Sequence, residues 1–100
     1  MVTKSQIIAK IEKNSNKIRL HGVSKIVLIG SYAKGNQRKD SDIDFLVEFK
    51  KGRGLFDDYM NLLHLLEDLF KKKIDLAEKH LIREELKSYI LGGKQVEAKI

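Results

Sequence analysis

Residues 43–49 alternate without a fault. Ile43, Phe45, Val47 and Phe49 fall on one side of an extended chain, and Asp42, Asp44, Leu46 and Glu48 fall on the other. A strand of this kind has one greasy face that must be covered and one face that opens with two carboxylates. It points to a small sheet whose apolar face is covered by helices, with the carboxylates on the polar face.

The flanking segments supply those helices and further strands. Thr3-x-x-Gln6 has the form of a capping box, and Ile7, Ile8, Ile11 and Ile18 follow at helical spacing, interrupted at Asn14-Ser15-Asn16. This predicts one helix over about residues 3–20, closed by Gly22. Residues 25–29 (Lys-Ile-Val-Leu-Ile) form a β-branched run ending at Gly30, a buried strand. Residues 31–41 are small, polar and charged, a loop with one helical turn at its start. Leu55, Phe56, Tyr59, Leu62, Leu63, Leu66, Leu69 and Phe70 recur at helical spacing, so residues 55–70 read as an amphipathic helix. Lys71, Lys72 and Lys73 suit its C-terminus. Residues 73–77 alternate around Ile74 and Leu76 as a short strand. Residues 78–91 read as a helix ended by Gly92-Gly93, and residues 94–100 as a strand or tail. The order α-β-loop-β-α-β-α predicts an α/β (α+β) class, with residues 1–100 as a single domain.

Three carboxylates carry the chemical argument. Asp42 and Asp44 lie two apart on a strand and project from the same face, where their like charges repel. A divalent cation relieves that conflict, and Mg²⁺ favours carboxylate oxygens while leaving positions for phosphate oxygens. Asp75 lies between Ile74 and Leu76, so its side chain emerges on the polar face. If its strand lies beside residues 43–49, three carboxylates meet opposite the core, an arrangement suited to one or two Mg²⁺ ions. An isolated Asp at a strand edge is ordinarily a solvent-facing residue, and Asp75 gains its interest only from this parity. Gly30-Ser31 directly after a strand exposes backbone N–H groups and a hydroxyl of the kind that hold phosphate. Lys34, Arg38 and Lys39 add positive charge nearby.

Other motifs fail on inspection. Gly30-x4-Gly35 begins like a P-loop, but Asn36-Gln37 stands where Lys-Ser/Thr is needed. Asp40-x-Asp42-x-Asp44 begins like an EF-hand, but Phe45 and Lys51 occupy the positions that require Gly and Glu. His21, His64 and His80 are scattered, which reads as surface or helix placement. With no Cys in the sequence, disulfides and Cys-ligated zinc are excluded. No apolar run approaches the roughly 20 residues of a membrane span, and the start lacks the apolar stretch of a signal peptide, so the expected address is the cytoplasm. The net charge is +6, concentrated at the front, where residues 1–25 hold six basic residues and one acidic. That suits an anionic ligand or partner, but for charge alone a solvated lysine-rich surface is the preferred reading over specific nucleic-acid binding. A basic nucleic-acid-binding domain would want stacking aromatics in the basic patch, which are lacking.

Gly30-Ser-Tyr-Ala-Lys-Gly35, a polar spacer, and Ser41-Asp-Ile-Asp-Phe-Leu-Val47 together resemble the signature of polymerase-beta-type nucleotidyltransferases, and within them the minimal, MNT-type members. The resemblance runs from the opening helix through residues 73–76. Lys34 departs from it mildly, standing where Arg is common; the charge is kept and the bidentate fork is lost.

The resemblance implies a small mixed sheet with helices on one face and the active site on the other. It implies nucleotide phosphates held by Gly30, Ser31 and Lys34, Mg²⁺ held by Asp42, Asp44 and Asp75, and Asp75 available to take the acceptor's proton. It implies ATP as substrate, in-line attack on its α-phosphorus, and departure of pyrophosphate. Because 100 residues leave no room for an acceptor-gripping domain, the expected acceptor is a hydroxyl, tyrosine by the family's habit, on a partner protein. For MNT-type proteins that partner is commonly an HEPN-type toxin, with the nucleotidyltransferase as antitoxin. A non-catalytic module that neutralises its partner by contact is the alternative. Oligomeric state is left open, a homodimer included, and any link to nucleic acid is expected to be indirect.

Overall fold

The computed structural model of the chain describes residues 2–82, 85 and 93–100. The elements run α1 (Lys4–Lys13), α2 (Ser15–Leu20), β1 (Val23–Ile29), α3 (Gly30–Lys34), β2 (Ile43–Phe49), α4 (Phe56–Phe70), β3 (Ile74–Glu78) and β4 (Val96–Ala98), with a 3₁₀ turn at Lys79–Leu81. The strands form one mixed sheet in the order β3-β2-β1-β4. β1 is antiparallel to both β2 and β4, whereas β2 and β3 are parallel. The fold class is therefore the mixed one expected, with a small sheet and helices.

The capping box forms. Thr3 Oγ1 accepts from Gln6 N–H at 3.2 Å, and Thr3 N–H donates to Gln6 Oε1 at 2.9 Å. The single helix predicted over 3–20 is instead two. Asn14 turns its side-chain amide back onto the Lys10 carbonyl at 2.8 Å, and this competition with the helical ladder ends α1 before α2 begins. β1 starts two residues earlier than its apolar run, at Val23, because Val23 pairs with Phe49 across an irregular step in the register.

The core gathers Ile7, Ile11 and Ile18 from α1 and α2, and Leu62, Leu66 and Phe70 from α4. These pack against Ile26 and Leu28 of β1, Ile43, Phe45 and Val47 of β2, and Ile74 and Leu76 of β3. Each such side chain, fully buried, contributes about 1.5–3 kcal/mol. The helical stripe predicted from Leu55 is shorter in fact. Leu55 and Phe56 are exposed, because at the first turn α4 has not yet reached the sheet. The helix predicted from Glu78 is also corrected at its start. Glu78 is the last residue of β3, paired with Val47, and the chain then makes its 3₁₀ turn. Of the remainder of that predicted helix, residues 83, 84 and 86–91 lie outside the described residues, as does Gly92 of the Gly92-Gly93 stop.

The opposite face of the sheet carries three cross-strand rows. Ile29, Asp44 and Asp75 form one, Val27, Leu46 and Ala77 the next, and Lys25 with Glu48 the third. Val27 and Leu46 are buried yet stand apart from the main core, so this second face has an apolar centre and a polar end. Among the described residues no helix is long and apolar enough to cross a membrane.

Candidate active site

The polar end of the second face opens into a cavity of about 510 Å³. Its wall takes Ile29, Gly30, Ser31, Lys34 and Asn36 from the end of β1, α3 and the residues after it. Asp44 comes from β2, Asp75 and Ala77 from β3, and Gly93 and Lys94 from the approach to β4. Four remote stretches of chain thus meet at one place.

Asp44 and Asp75 meet because β2 and β3 run parallel in register, with Asp44 directly opposite Asp75 and Ile43 opposite Ile74. The apolar neighbours of both carboxylates turn inward, so both carboxylates turn outward. The Tyr59 hydroxyl, from α4, donates to the Leu76 carbonyl at 2.7 Å and pins β3 next to Asp75. Burial, with the nearby charges of Glu78 and Asp75, holds that phenol above its usual pKa.

Asp44 is the most perturbed acid of the site. Burial, then the charge of Asp75, then that of Asp42, raise its carboxyl to about 6. Asp42 therefore acts on the site electrostatically, but it is absent from the cavity wall and lies 4.0 Å from Lys73 Nζ. Among the described residues no three Asp, Glu, His or Cys side chains are gathered closely enough to hold a metal ion. Asp44 and Asp75 are the pair that fits a hard divalent cation, since two opposed carboxylates, one reluctant to ionise, gain most from an added positive charge.

Gly30 closes the site for a reason the sequence did not show. Its φ is +73°, and a Cβ there would collide with Asp44 Oδ2. The bare Cα makes room first for the carboxylate of the neighbouring strand. α3 then directs Tyr32 and Ala33 into the core and leaves Ser31 and Lys34 in the cavity wall.

The other basic residues predicted nearby sort differently. Arg38 and Lys39 are not in this wall; Lys39 lines a separate cavity with Val2, Tyr32, Phe70 and Lys72. Lys94, Asn36 and Ala77 are wall residues that sequence reasoning missed. Ala77 shares the parity of Asp75 and could have been found from it. Lys94 carries no local signal at all, because only the pairing of β4 with β1 brings it here.

Residues 6–96 match the nucleotidyltransferase domain. The chain belongs to that family. This nucleotidyltransferase is 41% identical over 72 residues to a Methanocaldococcus jannaschii protein assigned as a protein adenylyltransferase, a match covering 72% of this chain and 76% of the relative. It is 29% identical over 92 residues to the protein adenylyltransferase MntA of Thermococcus cleftensis, covering 91% and 92% of the two chains. The solved structure of a minimal nucleotidyltransferase superposes with a TM-score of 0.77 at 29% identity, over 93% of this chain and 94% of that one. The fold is shared, at a TM-score of 0.60 and 19% identity, with a complex of a tri-AMPylated Shewanella oneidensis HEPN toxin and an MNT antitoxin, over 90% of this chain and 70% of that one.

Proposed function

We propose that this nucleotidyltransferase transfers AMP from ATP to a hydroxyl, that of a tyrosine, on a partner HEPN-type toxin, and so acts as its antitoxin. The observation that carries the reading is the in-register Asp44–Asp75 pair facing Ser31 and Lys34 across one cavity. The relatives support the protein acceptor, since they are named protein adenylyltransferases. The kind of partner is supported by the shared fold with an MNT antitoxin that is bound to an AMPylated HEPN toxin.

In the proposed reaction the acceptor oxygen bonds to the α-phosphorus of ATP. The bond from that phosphorus to its bridging oxygen breaks, and pyrophosphate leaves. Ser31 donates to a phosphate oxygen, and Lys34 offsets phosphate charge. Asp75, the more exposed of the pair, takes the acceptor's proton. Mg²⁺, held by Asp44 and Asp75 with Asp42 at the rim, would supply charge neutralisation to the phosphoryl group.

The test is label transfer from α-labelled ATP to an HEPN-type protein. Transfer that needs magnesium and is lost in Asp44→Ala and Asp75→Ala is expected. Folded protein that binds no nucleotide with any divalent cation would overturn the reading. Neutralisation that survives the double substitution would assign the effect to contact alone.

A further inference from the structure

We propose that Lys94 grips the β,γ-phosphate end of the nucleotide and the pyrophosphate that leaves; this rests on the cavity being the nucleotide site. β4 pairs antiparallel with β1, Ile26 opposite Ala98 and Leu28 opposite Val96. Gly30 directly follows β1 and Lys94 stands two residues before β4, so the antiparallel pairing brings both to the same end of the two strands, where both line the cavity wall. Lys94 is exposed and makes no ion pair with a described residue, and the same holds for Lys34 among the ion pairs seen. Two lysines from remote parts of the chain thus line one cavity with Gly30 and Ser31, Lys34 on α3 and Lys94 just ahead of the edge strand.

The charges of the wall then orient a polyphosphate. Asp44 and Asp75 repel its unshielded oxygens, whereas Lys34 and Lys94 attract them. The arrangement of lowest energy places the anionic β- and γ-phosphates toward the lysines and only the α-phosphorus toward the carboxylates. A lysine suits this task, since a compact charge on a flexible stem can follow the pyrophosphate as it separates. No residue near Lys94 in sequence marks it for such a role; the pairing of β4 with β1 does.

The experiment measures binding of ATP, inorganic pyrophosphate and AMP, with magnesium, to wild type, Lys94→Ala, Lys94→Arg and Lys99→Ala. Lys99 follows β4 at its other end and removes the same unit of charge away from the cavity. Loss of one charged contact predicts about 10- to 100-fold weaker ATP and pyrophosphate binding in Lys94→Ala. AMP binding should be unchanged, Lys94→Arg should recover most of the loss, and Lys99→Ala should match wild type. Wild-type affinity for ATP and pyrophosphate in Lys94→Ala would overturn the assignment while leaving the nucleotide site intact. Equal weakening of AMP, or an equal effect of Lys99→Ala, would overturn it too. A wild-type protein that binds none of the three would remove the nucleotide reading and this inference together.

Discussion

Asp44 and Asp75 stand directly opposite one another on parallel neighbouring strands, with no residue between them and no cation of the described chain paired to either. Like charges so placed are held together by the hydrophobic packing beneath them, not by their own interaction. The fold therefore carries an electrostatic cost at this point in the cavity wall.

That cost has a definite pH dependence. With its carboxyl raised to about 6 in the folded chain, Asp44 takes up a proton more readily folded than unfolded. Its effect on stability is absent below the ordinary carboxylate range, grows as pH rises toward 6, and is a full destabilisation above that. Asp44→Asn should raise the metal-free melting temperature above pH 6 and leave it unchanged near pH 3. The gain expected is about 1 kcal/mol, less than the shift alone implies because water still screens a partly open pair. Thermal melts at the two pH values check it; a loss of stability at pH 7 would show that the carboxylate has a structural partner.

Gly30 and Gly35 separate two causes of strain. Both have positive φ, +73° and +80°, but only Gly30 faces an obstacle, the Asp44 carboxylate; nothing lies within 4 Å of a Cβ at Gly35. Gly35→Ala should cost about 1 kcal/mol from backbone conformation alone. Gly30→Ala should cost about 2–3 kcal/mol, because Asp44 must also move, and it should abolish nucleotide transfer. Denaturant unfolding of both variants measures the difference.

The Arg53–Asp58 clamp predicts acid sensitivity of opposite sign to Asp44. Arg53 Nε and its terminal nitrogen reach the two oxygens of Asp58 at 2.8 Å each, Gly54 N–H adds a third bond, and Arg53 also donates to the Leu20 carbonyl. The Arg53 hydrogen bond, then that from Gly54, hold the Asp58 carboxyl well below the usual range. Its stabilisation is complete above the ordinary carboxylate pKa and is lost as pH falls through the depressed value. Asp58→Asn should melt below wild type at pH 7, and the gap should narrow as the pH drops below about 4. A gap independent of pH would mean that the clamp acts through shape alone.

Two residues of α4 should respond very differently to truncation. Leu66 is fully buried against the sheet, so Leu66→Ala should cost about 2–5 kcal/mol. Phe56 is 76% exposed, so Phe56→Ala should change stability by less than about 0.5 kcal/mol despite the larger side chain. Equilibrium unfolding checks the pair.

The local elements were legible wherever period and punctuation agreed. The alternation of 43–49, the stripe from Tyr59 to Phe70 and the Thr3–Gln6 box each express interactions within a few residues. The break at Asn14 and the exposure of Leu55 and Phe56 were misread, because side-chain competition and the distance of a helix end from the sheet leave no mark on spacing. For the site, parity alone was enough to place Asp44 and Asp75 on the polar face, and Gly30, Ser31 and Lys34 beside them followed from the strand end.

By itself the sequence determined which faces are apolar, which carboxylates face away from them, and where the chain can turn tightly. Tertiary structure alone decided that β3 lies parallel to β2 with Asp75 opposite Asp44, that Asp42 stands near Lys73, and that Lys94 shares a cavity wall with Gly30. The reason is physical: alternation is a property of one strand, whereas register between strands is chosen by how Ile43, Phe45, Ile74 and Leu76 pack together beneath α4.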